Sequence, residues 1–333
     1  MSELPLVSNI LAIRLARLGD IALLFPALGI LKGAFPGARL TLLTGLPYEP
    51  LARLCPSVDE VVPIDRLGMR DGPRRRALRD IFRLVRELRS GGFDLVVDFH
   101  SFRETNLLAW ASGARYRVGM KRADRAYLPF CFNLDPEPED KSLHVSEMFR
   151  RVVLRIPGLA DKRIEPGPSV RTPEGTGSRS GTLVALYVGA SVASRRWPAA
   201  RFAALAAQLV ERWEASVLIL AGVSPEEQAI AESIGASVGR PEKVQVRAVL
   251  GIPELVGRIA SADLLVSNDS GPMHIGSALA VPTLGIFSES LPRHYRPIGP
   301  RDRFIWKRRA GDVQVGDVLE ILEEMRAGVT GGP

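Results

Sequence analysis

The segment Ser267–His274 gathers small polar residues in an order that suits the binding of a phosphate group. An apolar run precedes it and predicts a buried strand, and a Pro near its start predicts that a helix covers 272–280. Asp269 or Ser270 would be the N-cap of that helix. The free N–H groups of a first helical turn attract anions, and Gly271 lets the backbone approach a ligand closely. An ordinary capped helix has the same pattern, so both interpretations stay open at this point.

A carboxylate near the start of the chain, Asp20, occupies a comparable place. An apolar strand is predicted over 9–15 and an apolar helix over 21–32, so Asp20 stands at a helix N-terminus above the end of a strand. A carboxylate in that place can accept a proton as a general base, or it can simply cap the helix.

A third polar turn, 189–198, directly follows the strand predicted over 182–188. It contains Ser191 and two adjacent guanidinium groups, Arg195 and Arg196, before a Trp-Pro pair that begins another helix. Arginine presents planar, always charged donors that match phosphate oxygens. The turn therefore suits an anion that the loop encloses.

Strands and helices that alternate along the chain must position these turns, and this alternation predicts parallel sheets covered on both faces. A length of 333 residues is enough for two domains. Residues 161–181 hold three Pro and four Gly without apolar periodicity, so we expect a first domain over 1–165, a linker over 166–181 and a second domain over 182–333. The predicted strands are 9–15, 39–43, 60–64, 94–99, 182–188, 216–221, 244–246, 263–267 and 282–287.

Together these motifs resemble the ADP-heptose:lipopolysaccharide heptosyltransferases of glycosyltransferase family 9. The residues that carry the resemblance are Arg14–Asp20 with Pro26–Leu28, Arg195–Pro198, Leu220–Gly222 and Ser267–His274, in the family's order along residues 9–325. The resemblance implies a GT-B architecture, in which two Rossmann-like domains with parallel sheets face a central cleft. It also implies that the last helix, predicted over 313–325, packs back on the first domain.

The resemblance further implies an inverting glycosyl transfer that needs no metal or other cofactor. Asp20 matches the family's catalytic aspartate, the base that would take the acceptor proton. Arg195 stands where the family commonly has Lys, and either Arg195 or Arg196 would stabilise the departing diphosphate. The nucleotide-sugar donor would be ADP-heptose, and the acceptor a lipopolysaccharide core or a related glycolipid.

Donor binding is expected mainly from the second domain. Glu226 falls where the family places a carboxylate for the nucleoside ribose, with Glu227 as the alternative, although either could simply complement a helix dipole. His274 matches a family position, and a packed helix histidine is an equal alternative to direct contact. The other residues expected to hold the donor are Ser191, Asp269, Ser270, Gly271, Pro272 and Met273.

Two stretches depart from the family's pattern on the donor side. The run Ser288–Ser290 replaces a usual Gly-Pro-Thr-like turn, and residues 248–252 replace a usual Gly-Lys/Arg-Thr-Ser-Leu segment. Two alternatives therefore stay open: a family member that uses another nucleotide sugar, and a catalytically silent protein that binds a nucleotide sugar or glycolipid.

Composition narrows the class of protein. An apolar content of 46% and a charged content of 24% are typical of a globular protein, and no apolar run approaches the length of a membrane span or signal peptide. Two Cys predict no disulfide framework, and four His without the i,i+4 spacing of metal ligands predict no metal site. No Gly-x-Gly-x-x-Gly or Walker turn is present, and the Asp135–Glu139 run is interpreted as a solvated loop. We expect a cytoplasmic location.

The positive charge is concentrated in the first half of the chain. Residues 1–165 carry 26 Lys and Arg against 20 Asp and Glu, whereas residues 166–333 carry 18 against 17. Many of the arginines lie in 66–89, on the face of a predicted amphipathic helix opposite its apolar stripe. The helix face can be merely solvated, or it can contact an anionic membrane or glycolipid. Nucleic acid is not expected, because no recognition motif accompanies the arginines. The stripe consists of Leu78, Ile81, Phe82, Val85 and Leu88.

Overall fold

The computed structural model describes residues 6–159, 169–171, 181–248 and 251–330. The chain forms two compact units, Met1–Arg171 and Thr172–Pro333. Their boundary falls inside the predicted linker 166–181, most of which lies outside the described residues. Each unit is an α/β fold built on its own parallel sheet.

The first unit has a sheet that, in the described part of the chain, contains six strands in the order β3-β2-β1-β4-β5-β6, all paired in parallel. Its strands are β1 (Asn9–Arg14), β2 (Arg39–Gly45), β3 (Glu60–Ile64), β4 (Leu95–Asp98), β5 (Tyr116–Lys121) and β6 (Glu137–Pro138). Its helices are α1 (Leu18–Ala34), α2 (Glu49–Ala52), α3 (Arg66–Asp71), α4 (Arg74–Ser90), α5 (Arg103–Ala111) and α6 (Val145–Leu154).

The second unit repeats this arrangement, with six described strands in the order β12-β11-β10-β7-β8-β9, again all parallel. Its strands are β7 (Leu183–Tyr187), β8 (Ser216–Ala221), β9 (Val244–Ala248), β10 (Leu264–Asn268), β11 (Thr283–Phe287) and β12 (Arg303–Trp306). Its helices are α7 (Ala199–Trp213), α8 (Pro225–Val238), α9 (Ile252–Ala260), α10 (Gly271–Ala278), α11 (Pro292–Tyr295) and α12 (Val315–Thr330).

Both strand orders are those of a Rossmann fold, in which the chain crosses from one half of the sheet to the other. The crossing lies between β1 and β4 in the first unit and between β7 and β10 in the second. In open α/β sheets ligands bind beside the carboxyl ends of strands at this switch point. The two crossings therefore mark where a site is expected in each unit.

The predicted strands are all present, and the structure adds β5, β6 and β12. These three lack a clear apolar signal, since β5 is interrupted by Arg117 and Gly119, β6 has two residues, and β12 has four residues that begin with Arg303. The expectation of a solvated loop at Asp135–Glu139 is wrong for Glu137. This side chain is buried in β6, and its Oε2 lies 2.5 Å from Nε of Arg155, whose charge compensates the burial.

The helical stripe predicted within 66–89 is only partly a core face. Leu88 is buried and Val85 is half-buried, but Leu78, Ile81 and Phe82 are exposed. The buried side chains of α4, Leu84 and Leu88, lie in its C-terminal half, so the rest of the unit covers only that half of the helix. The first half of the helix thus carries an apolar face that the described part of the chain leaves exposed.

The last helix, α12, contributes Val318, Leu322 and Met325 to the core of the second unit, where α7 supplies Leu205 and Leu209. The expected packing of this helix on the first domain stays a prediction. Among the described helices, none combines the length and the apolar composition that a bilayer crossing requires.

Candidate functional site

The polar turns of the second unit emerge side by side. Strands β7 and β10 are neighbours, with Tyr187 in register with Ser267, so the loops that follow them leave the sheet at the same edge. These loops are 189–198 and the start of α10. The two polar turns are therefore neighbours in space, although they are far apart in the sequence.

Asn268 joins the two loops, and sequence reasoning missed it. Its amide Nδ2 donates to the Val188 carbonyl oxygen over 2.9 Å, and its Oδ1 accepts from the Trp197 backbone N–H over 2.9 Å. The side chain is fully buried, so these bonds are shielded from water. The only indication of this role in the sequence is that a polar residue, Asn268, ends an apolar strand.

Trp197 anchors the loop directly after the two arginines. Its indole Nε1 donates to the Val313 carbonyl oxygen over 2.9 Å, and its buried ring meets Phe202 edge-on with centroids 4.9 Å apart. A buried Trp with its N–H satisfied is a strong local anchor. Arg195 and Arg196 are thus held on a segment fixed at its C-terminal side.

Arg195 pairs with the carboxylate that begins the predicted phosphate turn. Its Nη1 lies 3.1 Å from Oδ2 of Asp269, a nearly buried group that also accepts the hydroxyl hydrogen of Ser290. Ser290 belongs to the turn that departs from the family's pattern. The departure therefore introduces a side chain that contacts this cluster.

Arg196 pairs with Glu226, which joins two more of the residues predicted to bind the donor. Two contacts of 2.6 and 3.2 Å link the guanidinium to both carboxylate oxygens, and the Glu226 side chain remains 66% exposed. The hydrogen bond from Arg196 lowers the pKa of the Glu226 carboxyl below its usual value. Glu226 therefore stands at the surface, whereas the Arg196 side chain is only 17% exposed.

Glu227, the alternative to Glu226, has a different task. Its Oε1 accepts from the Ala190 N–H over 3.1 Å and its Oε2 from the Gly222 N–H over 3.0 Å, so it ties together the loops after β7 and β8. The approach is so close that a Cβ on Gly189 would lie 2.5 Å from the carboxylate. Burial, with Glu227 as its neighbour, also raises the pKa of Tyr187.

This division predicts opposite results for two adjacent substitutions. Glu227→Gln should lower the free energy of unfolding by about 1.5–3 kcal/mol, because the amide cannot accept at both positions and a charged acceptor is lost. Glu226→Gln should leave stability almost unchanged, since that group is exposed. Urea unfolding of both variants followed by circular dichroism checks this. Equal stability of the two variants would contradict the structural role of Glu227.

The phosphate turn itself forms as predicted in outline. Ser270 is the N-cap residue of α10 with extended backbone, φ −154° and ψ 168°, and its hydroxyl lies 3.1 Å from that of Ser267. Pro272, Met273 and His274 have buried side chains. A ligand at this end would therefore meet backbone N–H groups, and the packed interpretation of His274 is the one that its burial favours. Ser191 is exposed in the neighbouring loop.

Asp20 lies in the first unit beside the switch point between β1 and β4. Asp20 stands at the helix N-terminus as expected, but the alternative that it caps the helix is wrong, because α1 begins at Leu18 and its N-cap is Arg17. Asp20 is in the first helical turn, where a carboxylate is still favoured by the helix dipole. Helix α1 begins about one turn earlier than the apolar run predicted, because Leu18 and Gly19 also adopt helical backbone.

Arg14 orients this carboxylate, which is 17% exposed. Nη2 of Arg14 lies 3.2 Å from Oδ1 of Asp20, and Nη1 donates to the Phe99 carbonyl oxygen over 2.9 Å. The guanidinium also sits 4.9 Å from the ring centroid of Phe149, and its side chain is almost entirely buried. A cation fixed by three neighbours gives Asp20 a defined position.

The loop after β4 is held by Asp98. This fully buried carboxylate accepts from the N–H groups of His100 and Ser101 and from Nδ2 of Asn106, at 2.8 to 3.0 Å. Burial nevertheless raises the pKa of Asp98 to about 6. Ser101 adopts a positive φ of 51°, a conformation that few non-glycine residues take without such bonds.

His100 is the most unusual residue of this loop, and sequence reasoning did not single it out. The ring is buried, and neither of its nitrogens has a hydrogen-bond partner among the described residues. Burial, followed by the charges of Arg14, Arg66 and Arg122, lowers its pKa to about 3, so it is neutral at physiological pH. Three guanidinium groups thus act electrostatically on a polar ring, and each of them also pairs with a carboxylate. Positive charge beside a neutral polar ring is chemistry suited to an anionic ligand. The only sequence signal was a His at the end of a predicted strand.

No three His, Cys, Asp or Glu side chains within the described ranges are grouped as metal ligands would be. In the second unit the predicted donor residues form the ion pairs Arg195–Asp269 and Arg196–Glu226 and the N-terminus of α10. In the first unit Asp20 lies beside Arg14.

Known proteins resemble this chain in sequence and in fold. A model of glycosyltransferase family 9 (heptosyltransferase) matches residues 81–319. Lipopolysaccharide heptosyltransferase 2 of Escherichia coli (strain K12) is 25% identical over 354 aligned positions, which cover 96% of this chain and 98% of that protein. The family match begins after Asp20, so the motif at β1 rests on its own geometry.

Solved structures share the fold at lower identity. E. coli heptosyltransferase WaaC with ADP superposes with a TM-score of 0.82 at 17% identity, covering 95% of this chain and 99% of that chain. WaaC with ADP-2-deoxy-2-fluoro heptose gives a TM-score of 0.79 with the same identity and coverage. Two Rossmann-like units with parallel sheets, the GT-B fold, are therefore common to these proteins and this chain.

Proposed function

This chain belongs to glycosyltransferase family 9, the heptosyltransferase family, and is a glycosyltransferase; we propose that it moves a heptose from ADP-heptose to a lipopolysaccharide core or related glycolipid. The observation that carries the proposal is Arg195, paired with Asp269 directly before the N-terminus of α10, with Arg196 next to it in the same loop. A relative is named as a lipopolysaccharide heptosyltransferase, and the structure of WaaC has been solved with ADP and with ADP-2-deoxy-2-fluoro heptose.

The second unit would hold the donor by its diphosphate. Arg195 donates to Asp269 through Nη1, and its side chain is 28% exposed. Both Nη1 and Nη2 of Arg196 donate to the exposed carboxylate of Glu226. A diphosphate would therefore accept from the exposed part of the Arg195 guanidinium and would share Arg196 with Glu226. The backbone N–H groups of Gly271 and Met273 would add neutral donors at the positive end of α10.

The first unit would supply the base. Asp20 takes the proton of the acceptor hydroxyl as that oxygen bonds to the anomeric carbon of the donor sugar. The bond from that carbon to the diphosphate oxygen breaks, and its electron pair leaves with ADP, whose new charge the arginines stabilise. Attack on the face opposite the leaving group inverts the anomeric configuration. Arg14 would act as a positioning residue for Asp20.

The positive charge that the reaction needs is provided by side chains, so we propose that no metal takes part. The basic cluster around His100 would bind an anionic group of the acceptor, a carboxylate or a phosphate. Arg122 is fixed there by donating Nε to the His100 carbonyl oxygen over 2.9 Å. We further propose that the chain acts in the cytoplasm at the inner face of the membrane, where a glycolipid acceptor is presented.

A donor screen tests the proposal. Calorimetry with ADP, UDP, GDP and dTDP and their sugar conjugates should give binding for the adenine series, and heptose transfer to a core acceptor should persist in EDTA. Binding of another nucleotide in place of ADP would overturn the donor assignment. Tight binding without turnover on any acceptor would favour the silent alternative, and loss of activity in EDTA would overturn metal independence.

A further inference from the structure

An open apolar groove of about 840 Å³ lies in the first unit between α3, α4 and α5. Its volume is in the range of ordinary small-ligand sites. The residues that give it its character are Leu46, Leu67, Ile81, Leu84, Leu107 and Trp110. Most of these are exposed, so the groove opens to solvent along an apolar rim.

The rim continues along the first half of α4. Leu78 is 68% exposed and Phe82 is 75% exposed, and both lie on the helix face of Ile81 and Val85, which line the groove. Trp110 is 52% exposed at the other side of the groove. We call the groove together with these side chains and the arginines of α4 the groove surface.

The charge of the groove surface identifies its partner. Seven exposed arginines stand on α4, against the carboxylates Asp80 and Glu87 of the same helix. At the groove itself Arg66 and Arg70 are balanced by Asp65 and Glu104, so the excess positive charge of the groove surface comes from α4. Apolar side chains flanked by arginines match a lipid surface, where hydrocarbon lies beneath anionic headgroups and long basic side chains reach the phosphates. A Trp at the boundary suits the same interface. The arginines of α4 are Arg74, Arg75, Arg76, Arg79, Arg83, Arg86 and Arg89.

We propose that the groove surface docks on a bilayer of anionic phospholipid, with Phe82 and Trp110 in the interface and a lipid acyl chain in the groove. The inference rests on the proposed function in that a membrane glycolipid is the acceptor. It also connects to the site within the first unit. Leu15 lines the groove at the end of β1, and Arg66 Nη1 donates to its carbonyl oxygen over 3.0 Å, close to the turn that leads to Asp20.

Vesicle binding by the full chain tests the docking. We expect sedimentation with phosphatidylglycerol vesicles, weak binding to phosphatidylcholine vesicles, and a decrease as salt rises. Lipids brominated in their acyl chains should quench tryptophan emission in the wild type but much less in Trp110→Phe. Quenching equal in the two proteins would overturn the placement of Trp110.

Three variants separate the contributions. Phe82→Ser and the triple variant Arg75→Ser/Arg79→Ser/Arg83→Ser should each weaken vesicle partition by about tenfold or more. Trp306→Ser, at a tryptophan of the second unit that is 48% exposed, is the matched control and should bind vesicles as the wild type does. Wild-type binding by both test variants, or equal binding to neutral vesicles, would overturn the proposal.

The same variants distinguish this inference from the proposed function. Phe82→Ser and the triple arginine variant should retain ADP binding and full transfer to a soluble, delipidated acceptor. Vesicle binding that persists in a chain unable to bind ADP would leave the docking intact and remove the donor assignment. ADP binding and transfer without vesicle binding would remove the docking alone.

Discussion

Replacing Asp20 by Asn should lower kcat by about 10²–10⁴-fold, the usual contribution of a general base. The amide keeps the size of the side chain but cannot take the proton from an acceptor hydroxyl. Binding of ADP should remain nearly unchanged, because the base acts on the acceptor and the donor residues lie in the second unit. Single-turnover transfer with saturating donor, combined with calorimetry of ADP binding, measures both quantities.

A fold defect must be separated from a catalytic one in this variant, because Asp20→Asn also removes the carboxylate that faces Arg14. Thermal unfolding provides that comparison. The matched control is Glu147→Gln, another carboxylate in a first helical turn of the first unit that pairs with arginines, here Arg150 and Arg151. The control should turn over like the wild type. Wild-type turnover by Asp20→Asn would assign the base to another residue.

Removal of either arginine of the second unit should weaken ADP binding by about 10- to 150-fold, which corresponds to about 1.5–3 kcal/mol for a hydrogen bond to a charged group. Arg195→Ala should have the larger effect. Its partner Asp269 is nearly buried and would be left as an uncompensated negative charge beside the diphosphate, whereas Glu226 is exposed to water. Calorimetric titration of ADP into each variant measures the change.

Arg212→Ala is the matched control for this pair. Arg212 is an exposed arginine at the end of α7 in the same unit, 3.6 Å from Glu323, so its loss alters net charge equally without touching the loop after β7. Its ADP affinity should equal that of the wild type. Unchanged affinity in both Arg195→Ala and Arg196→Ala would remove the arginines from the donor site.

Local pattern was sufficient to locate most of the elements that carry the site. Apolar runs of strand length predicted β1, β7, β10 and β11, because parallel strands buried on both faces need continuous apolar sequence. The same logic failed for β5 and β12, whose residues are mixed in polarity. The polar turns after β1, β7 and β10 could be read from the residues that interrupt those runs.

The division of tasks between Glu226 and Glu227 could not be read from sequence. The two are adjacent in one helical turn, and only the fold decides that Glu227 points at the N–H groups of Ala190 and Gly222 while Glu226 reaches Arg196. A difference of one residue rotates the side chain by about 100° around the helix, and local composition does not say which direction is buried.

The sequence by itself determined the two-unit α/β organisation and the segments from which the chemistry would come, because periodicity and turn composition are local properties. The tertiary structure decided which side chains meet. Arg195 reaches Asp269 across 74 positions, and Asn268 reaches Val188 across 80. It also decided that Leu78 and Phe82 are exposed. An apolar stripe shows which side chains a helix could bury, and only the packing of its neighbours decides which of them are buried.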